Sequence, residues 1–390
     1  MTALLKKKKI DSLKRAKNDD SWIKGARRKL LLTIKILFVL TLFFSYLATY
    51  VNPKHVILPA LVGLAYPYLV IINIFFVVYW ILSRRWEFLI PLGAILIGMG
   101  VLGNYFRFPK HRDFSDDSFK VISYNVKLFN FYETKSTPSN KEILSYLKDQ
   151  DADVICMQEL FVDNKNINET AIKGALGDKI YSHTKFINNI GNRSYGIGTY
   201  TKYPIIRRSQ IFHPKSSSLT IITDIVADGD TIRIFNNHLQ SFKLKNIEHS
   251  NILEELASRE KTEVKNNIAN IISSLHDGFV KRAEQAIVVK EEIAKSPYPT
   301  IVLGDFNDTP ISYSFHIVSK GLNDAFVKAG NGSGNSYKGA YPSNRIDYIL
   351  FDNNFICEKF DKLNLKYSDH YPICAYFKKN INASNNQKKP

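Results

Sequence analysis

The chain runs to 390 residues, carries 53 Lys and Arg against 36 Asp and Glu, and is 45% hydrophobic. Those figures exclude whole-chain disorder, because that much apolar surface builds a core, and three cysteines exclude a disulfide framework. The formal charge of +17 points first to a nucleic-acid binder, but residues 1–112 hold 18 of the basic and 4 of the acidic residues, which leaves 35 against 32 in residues 113–390.

The surplus lies in a basic block over residues 1–29, immediately ahead of an apolar stretch, where the cytoplasmic flank of a membrane span carries its charge. Residues 30–51 are long enough to cross about 30 Å of hydrocarbon. Lys35 lies near the cytoplasmic end of that run and can snorkel. Residues 56–82 contain no charge, and a third apolar run over 88–106 follows the turn Ser83-Arg84-Arg85-Trp86-Glu87. Three transmembrane helices within residues 30–106 are therefore expected. The basic block and Arg84/Arg85 mark the cytoplasmic side, and the turn Asn52-Pro53-Lys54-His55 lies outside. Residues 107–118 read as a linker, and the large domain as extracytoplasmic; a re-entrant run would place it in the cytoplasm.

From residue 119 to 379 the pattern changes to short β-rich runs between polar turns, with strands expected at 121–124, 154–157, 196–201, 219–226, 231–235, 301–303, 346–351 and 373–377. Ser139 to Glu142 form a capping box for the apolar residues 143–147. The stretch 245–295 reads as two helices broken near Asp277-Gly278, and 380–390 as a disordered polar tail. Many strands with few helices imply a layered α/β or α+β domain.

Polar residues gather at the strand ends in six segments: Ser123-Tyr124-Asn125-Val126, Asp153 to Glu159, Asn236-Asn237-His238-Leu239, Val302 to Asp308, Arg345-Ile346-Asp347-Tyr348 and Ser368 to Pro372. Asp305 and Asn307 stand two apart, on one side of an extended chain. Glu159 and Asn125 offer oxygen ligands without a thiolate or a dense histidine cluster, a set that suits Mg2+ or Mn2+.

In this order the six segments resemble the endonuclease/exonuclease/phosphatase superfamily of metal-dependent phosphoesterases. The resemblance implies a four-layered αββα sandwich of two mixed β-sheets flanked by helices, with the site at one end of the sheets. It places Glu159, Asn125 and Asp369 at the metal, and Asp305 and Asn307 at the phosphate and the nucleophile. Asp347 would hydrogen-bond His370, which would activate water for in-line attack on phosphorus, while His238 would serve the phosphoryl oxygens or the leaving group. Arg282, Gln285 and Arg345 would support the site, and the loop 330–337 would be a flexible border to the substrate. Asn237 stands where nuclease members often have Thr, and the carboxylate partner of His238 is unassigned. The implied function is a membrane-anchored, divalent-metal-dependent phosphodiesterase acting on a lipid head group or an extracytoplasmic phosphodiester. The alternatives are a membrane-tethered DNA or RNA nuclease and a catalytically silent binding module.

Overall fold

The structure is a computed structural model that describes residues 2–108, 118–132, 139–163, 167–177, 180–190, 192–214, 216, 218–242, 261–339 and 344–380, with backbone alone for 2–21, 188–190 and 261–268. The expected tail at 380–390 lies outside the described residues from 381 onward, as do most of the linker and residues 245–260 of the expected helical stretch. The chain divides into two compact units, one of Met1–Leu47 with Val62–Met99, the other of Ala48–Leu61 with Gly100–Pro390.

The first unit holds most of the three apolar runs. Its helix α1 spans Thr2–Tyr46, and Trp22–Thr49 is long and apolar enough to cross a membrane. The second apolar run is not one straight helix. It breaks into α2 (Leu58–Leu64) and α3 (Tyr66–Leu82), bent by 65°, because Pro67 in the first turn of α3 lacks the amide that would continue the ladder. The third run forms α4 (Leu89–Ile97) and α5 (Met99–Leu102), each too short to span alone. Leu37, Leu40, Ile71 and Phe75 are exposed, an arrangement that water disfavours and lipid tolerates. Lys35 does not snorkel. It is buried over the Trp80 ring and donates to the Glu87 carbonyl at 3.2 Å, while the Glu87 carboxylate pairs with Arg28.

In the second unit, β1 (Phe106–Arg107) is followed by β2 (Phe119–Asn125), α6 (Asn140–Asp149), β3 (Val154–Asp163), α7 (Glu169–Leu176), β4 (Tyr181–Ile190), β5 (Arg193–Thr201), β6 (Ile205–Ile211), β7 (Leu219–Ala227) and β8 (Asp230–His238). Then come α8 (Lys261–Ala294), β9 (Thr300–Asp305), α9 (Tyr313–Ser319), β10 (Asn323–Asp324), α10 (Ala325–Ala329), β11 (Gly332–Ser333), β12 (Asp347–Phe351), β13 (Phe355–Lys362) and β14 (Ile373–Lys379). One six-stranded sheet runs β13-β14-β2-β3-β5-β4 and the other β10-β12-β9-β8-β7-β6. Both are mixed, with one parallel pair each, β2 beside β3 and β8 beside β9.

Alternation along the central strands builds four layers. Val121, Val154 and Cys156 face Ile234, Ile301, Leu303 and Ile349 between the sheets. The intervening residues Ile122, Ile155 and Met157 pack outward on Ile143, Leu147 and Ile172 of α6 and α7. On the far side Phe235, Val302 and Leu350 meet Ala286, Val289 and Phe315 of α8 and α9. Two local expectations change. Ser139 takes the N-cap position of α6, but its hydroxyl donates to the Phe129 carbonyl at 3.2 Å instead of capping the helix. The helix α8 runs unbroken through Gly278, where a Cβ would stand 2.7 Å from the Phe242 ring, so that glycine makes room for a ring rather than ending a helix.

Candidate active site

The topology brings the six segments together. The parallel strands β2, β3, β8 and β9 all point their C-terminal ends the same way within each sheet, in register at Asn125↔Gln158 and His238↔Asp305. Antiparallel β12 starts at that end with Asp347 opposite Asp305, and β14 starts with Ile373 opposite Ser123, just after His370. Every strand that enters or leaves this edge therefore delivers a polar side chain to it.

Local strain aims several of them. Glu159 has a φ of 51° on a bulge that interrupts β3–β5 pairing between Met157 and Leu160, which turns its carboxylate out of the regular alternation. Asn307 has a φ of 53°, a conformation that costs a non-glycine residue energy and that Asp305 Oδ1 holds by accepting the Asn307 amide at 2.8 Å. Gly304, at φ 127°, lies so close to β8 that a Cβ would stand 2.0 Å from the Asn237 carbonyl.

Asp305 Oδ2 is the hub. It accepts from Asn125 Nδ2 at 2.9 Å and Asn307 Nδ2 at 3.2 Å, with His370 Nε2 at 3.9 Å and His238 Nε2 at 4.0 Å. His370 Nδ1 bonds Asp347 Oδ2 at 2.8 Å, both groups buried. Glu159 Oε1 accepts from Asn125 at 3.2 Å and lies 3.5 Å from His238 Nε2, which has no hydrogen-bond partner among the described residues, so Glu159 is the nearest described carboxylate to the histidine whose partner the sequence left open.

Burial and the neighbouring Asp347 push the Asp305 carboxyl up to about 6, against the pull of His370, His238 and Asn125. Burial by itself pulls the His370 imidazole down, but the Asp347 and Asp305 carboxylates outweigh it and push the group up to about 10. The two carboxylates thus favour the charged form of the imidazole between them.

Other expected residues take supporting places. Arg282 is fully buried, donates to Asp308 Oδ2 at 3.0 Å and to the Gln240 carbonyl at 2.7 Å, and stacks on Phe242. Gln285 accepts from the Gln240 amide and donates to Ser216. Both fix the loop after His238 beside the loop that carries Asn307, whose amide donates to the Leu239 carbonyl at 3.0 Å. Arg345 turns away from this centre, to Asp324 and the Asn104 carbonyl. Asp369 stands on the rim with its carboxylate 3.7 Å from Lys127 Nζ.

Three further residues brace the site, Gln158 and Ser368 from within the six polar segments and Ser336 from outside them. Ser336, in the loop expected to be flexible, is fully buried, and its hydroxyl accepts the amides of Ile346 and Asp347 while its carbonyl accepts the Tyr371 amide, so it grips both sides of the Asp347–His370 pair. The Ser368 hydroxyl donates to the Asn125 carbonyl at 2.8 Å. Gln158 reaches across to Asn236 Oδ1 at 2.7 Å and ties the two sheets together beneath the site.

A divalent cation fits this donor set. Asp305, Asp347 and His370 offer atoms within 4.8 Å of one another, but His370 Nδ1 and Asp347 Oδ2 are already bonded to each other. Glu159, with no Lys or Arg paired to it among the described residues, and Asn125 are the better ligands. Three carboxylates with one imidazolium leave negative charge that a hard cation neutralises. The Asn125 amide now turns its nitrogen to Glu159, so an ion there requires the oxygen face instead.

Comparison with known proteins bears on the same residues. Residues 122–370 match the model of the Endonuclease/Exonuclease/phosphatase family, and residues 28–105 match a domain of unknown function, DUF8431. No curated protein matches the chain. Among solved structures, an endonuclease/exonuclease/phosphatase from Bacteroides vulgatus is 16% identical over 68% of this chain and 100% of that one, with a TM-score of 0.50. A mannosyl-6-phosphatase from Bacteroides thetaiotaomicron is 17% identical over 67% and 100%, at 0.47, and D. rerio TDP2 complexed with a single-strand DNA product is 18% identical over 67% and 100%, at 0.48. With the matched segment ending at His370 and all six polar segments converging on one edge, the chain belongs to the Endonuclease/Exonuclease/phosphatase family of phosphoester hydrolases.

Proposed function

We propose that the protein is a membrane-anchored phosphodiesterase that needs Mg2+ or Mn2+ and acts on an extracytoplasmic phosphodiester, a lipid head group before a nucleic acid. The observation that carries this reading is the buried Asp347–His370 pair set against Asp305, with Asn125 and His238 within reach of the same carboxylate and Glu159 beside both. A lipid is favoured because residues 113–390 carry almost no net charge, whereas tracking a nucleic-acid backbone calls for a basic groove, and because the apolar helices would hold the site near a bilayer.

Glu159 and Asn125 would hold the cation, with Asp369 at the rim, and the bound ion would supply charge neutralisation at the phosphoryl oxygens. The Asp347 and Asp305 carboxylates on either side of His370 favour its charged form, and on that geometry we assign it a donor role at the phosphoryl group in place of the water-activating role expected from the sequence. As an imidazolium it donates to a phosphoryl oxygen, and Asp305, steadied by Asn307 and Asn125, accepts the proton of the attacking water. His238, with Nε2 free of a hydrogen bond, is placed to hand a proton to the leaving oxygen.

The test is hydrolysis by the full-length chain in detergent, with Mg2+, of plasmid DNA and of mixed phospholipid and sphingolipid micelles side by side. Turnover lost on chelation and in His370→Ala supports the reading, and the preferred substrate separates lipid from nucleic acid. Folded protein that binds Mn2+ and turns over neither favours the binding module.

A further inference from the structure

We propose that the segment leaving the apolar helices, residues 104–107, is a structural part of the catalytic domain, and that Tyr105 is a positioning residue for the loop that carries Asn307. The proposal deepens the reading of the same site, and only its kinetic arm rests on that reading.

The segment is woven into the domain by five contacts. Tyr105 is buried, with its hydroxyl beside the Thr309 side chain and the Ile311 backbone. Its carbonyl accepts the Gly334 amide at 3.0 Å, and the Asn104 carbonyl accepts Arg345 Nη1 at 3.0 Å. Next to it, β1 pairs with β11 in the register Phe106↔Ser333, and Arg107 donates twice to the Val327 carbonyl. The turn 48–61 arrives at the same neighbourhood, with Thr49 donating to the Ile311 carbonyl at 3.0 Å and the Tyr50 ring 5.3 Å from His316.

These contacts lead to the chemistry in two steps. Thr309 follows Asp308, whose carboxylate holds Arg282 and whose carbonyl accepts the Tyr348 hydroxyl, beside Asp347. Asn307 precedes Asp308 in its strained backbone conformation. A ring wedged under Thr309 and Ile311 thus fixes the height of that loop relative to Asp305. Without the Asn104 carbonyl, the buried Arg345 guanidinium would lose one of its acceptors. A chain cut back to the start of β2 would lack both supports.

The test uses the full chain in detergent with an N-terminal affinity tag and a protease site engineered within residues 109–117. After cleavage of the wild type, most of the fragment from 118 onward should stay on the tag without a covalent link. Tyr105→Ala should release it, and Tyr105→Phe, which keeps the ring, should hold it. On uncut protein with Mg2+ and bis(4-nitrophenyl) phosphate, Tyr105→Ala should lower kcat about tenfold with KM within about twofold, and Tyr105→Phe should recover most of the rate. Hydrogen exchange over residues 303–311 should quicken in Tyr105→Ala while exchange in β2 and β3 stays as in the wild type. Release of the wild-type fragment on cleavage, or unchanged exchange at 303–311 in Tyr105→Ala, overturns the proposal. Retention and altered exchange in a protein without turnover would uphold it and count against the phosphodiesterase instead.

Discussion

His370 ties stability to pH through its two carboxylate neighbours. Its affinity for a proton rises from the ordinary 6.5 to about 10 in the fold. A group raised in this way stabilises the fold fully below about 6.5 and loses that contribution as pH climbs through about 10. Asp305, raised from 3.8 to about 6, acts with the same sign in the lower window. The metal-free protein should therefore lose stability from pH 6.5 to 10, by at most about 1.4 kcal/mol per pH unit for one proton. His370→Gln should flatten that limb in urea titrations at stepped pH, and parallel curves for the two proteins would refute the assignment. Asp347→Asn removes the main partner that holds the proton. It should cost about a hundredfold in kcat and shift the alkaline limb of the rate profile to lower pH; an unmoved limb would separate His370 from that limb. The sequence showed Asp347 and His370 because they sit in short motifs, and it hid Ser336, since a serine in a glycine-rich loop gives no sign that its hydroxyl collects two amides from across the site.

At the level of elements, the site depends on how closely β8 and β9 approach. Gly304→Ala would put a methyl group 2.0 Å from the Asn237 carbonyl at a φ of 127°, with backbone on both sides and nothing flexible to yield. It should destabilise by about 3 kcal/mol or more, read as a lower urea midpoint, and should cost activity as His238 and Asp305 lose register. Gly278→Ala is the contrasting case. The added methyl meets the Phe242 ring, which can move, and the helix gains about 1 kcal/mol of propensity. Stability should change little, while kcat falls because Phe242 is the ring on which Arg282 stacks at 4.1 Å. Equal losses of stability in the two variants would contradict this distinction. The same geometry explains which strands were legible. Continuous buried runs such as residues 300–305 announce themselves. Within the two six-stranded sheets, the strands without a clear signal, β4, β6, β10 and β13, are the four edges. They carry exposed polar residues, as in Arg207 and Arg208 of β6, or are too short to show a pattern.

For the whole molecule, the compact unit that holds the sheets also holds the turn 48–61. Both ends of residues 62–99 therefore join the same unit. If that stretch enters a bilayer, by crossing twice or by dipping in and returning, both of its ends belong on one side. On the reading proposed above, with α1 crossing once from a cytoplasmic basic block, the turn and the catalytic domain share the extracytoplasmic side. Single-cysteine labelling with a membrane-impermeant maleimide checks this with little background, since Cys156, Cys357 and Cys374 are all buried. Lys54→Cys and Asp151→Cys, at positions whose native side chains are 58% and 87% exposed, should react together in intact cells. Ser83→Cys, beside Arg84 and Arg85, should react only after permeabilisation if residues 62–99 form two crossings. The Lys54–Glu284 pair is exposed and contributes little, so its loss should leave the fold intact. Labelling of Lys54→Cys and Asp151→Cys from opposite sides would break the argument, because one compact unit cannot straddle the bilayer.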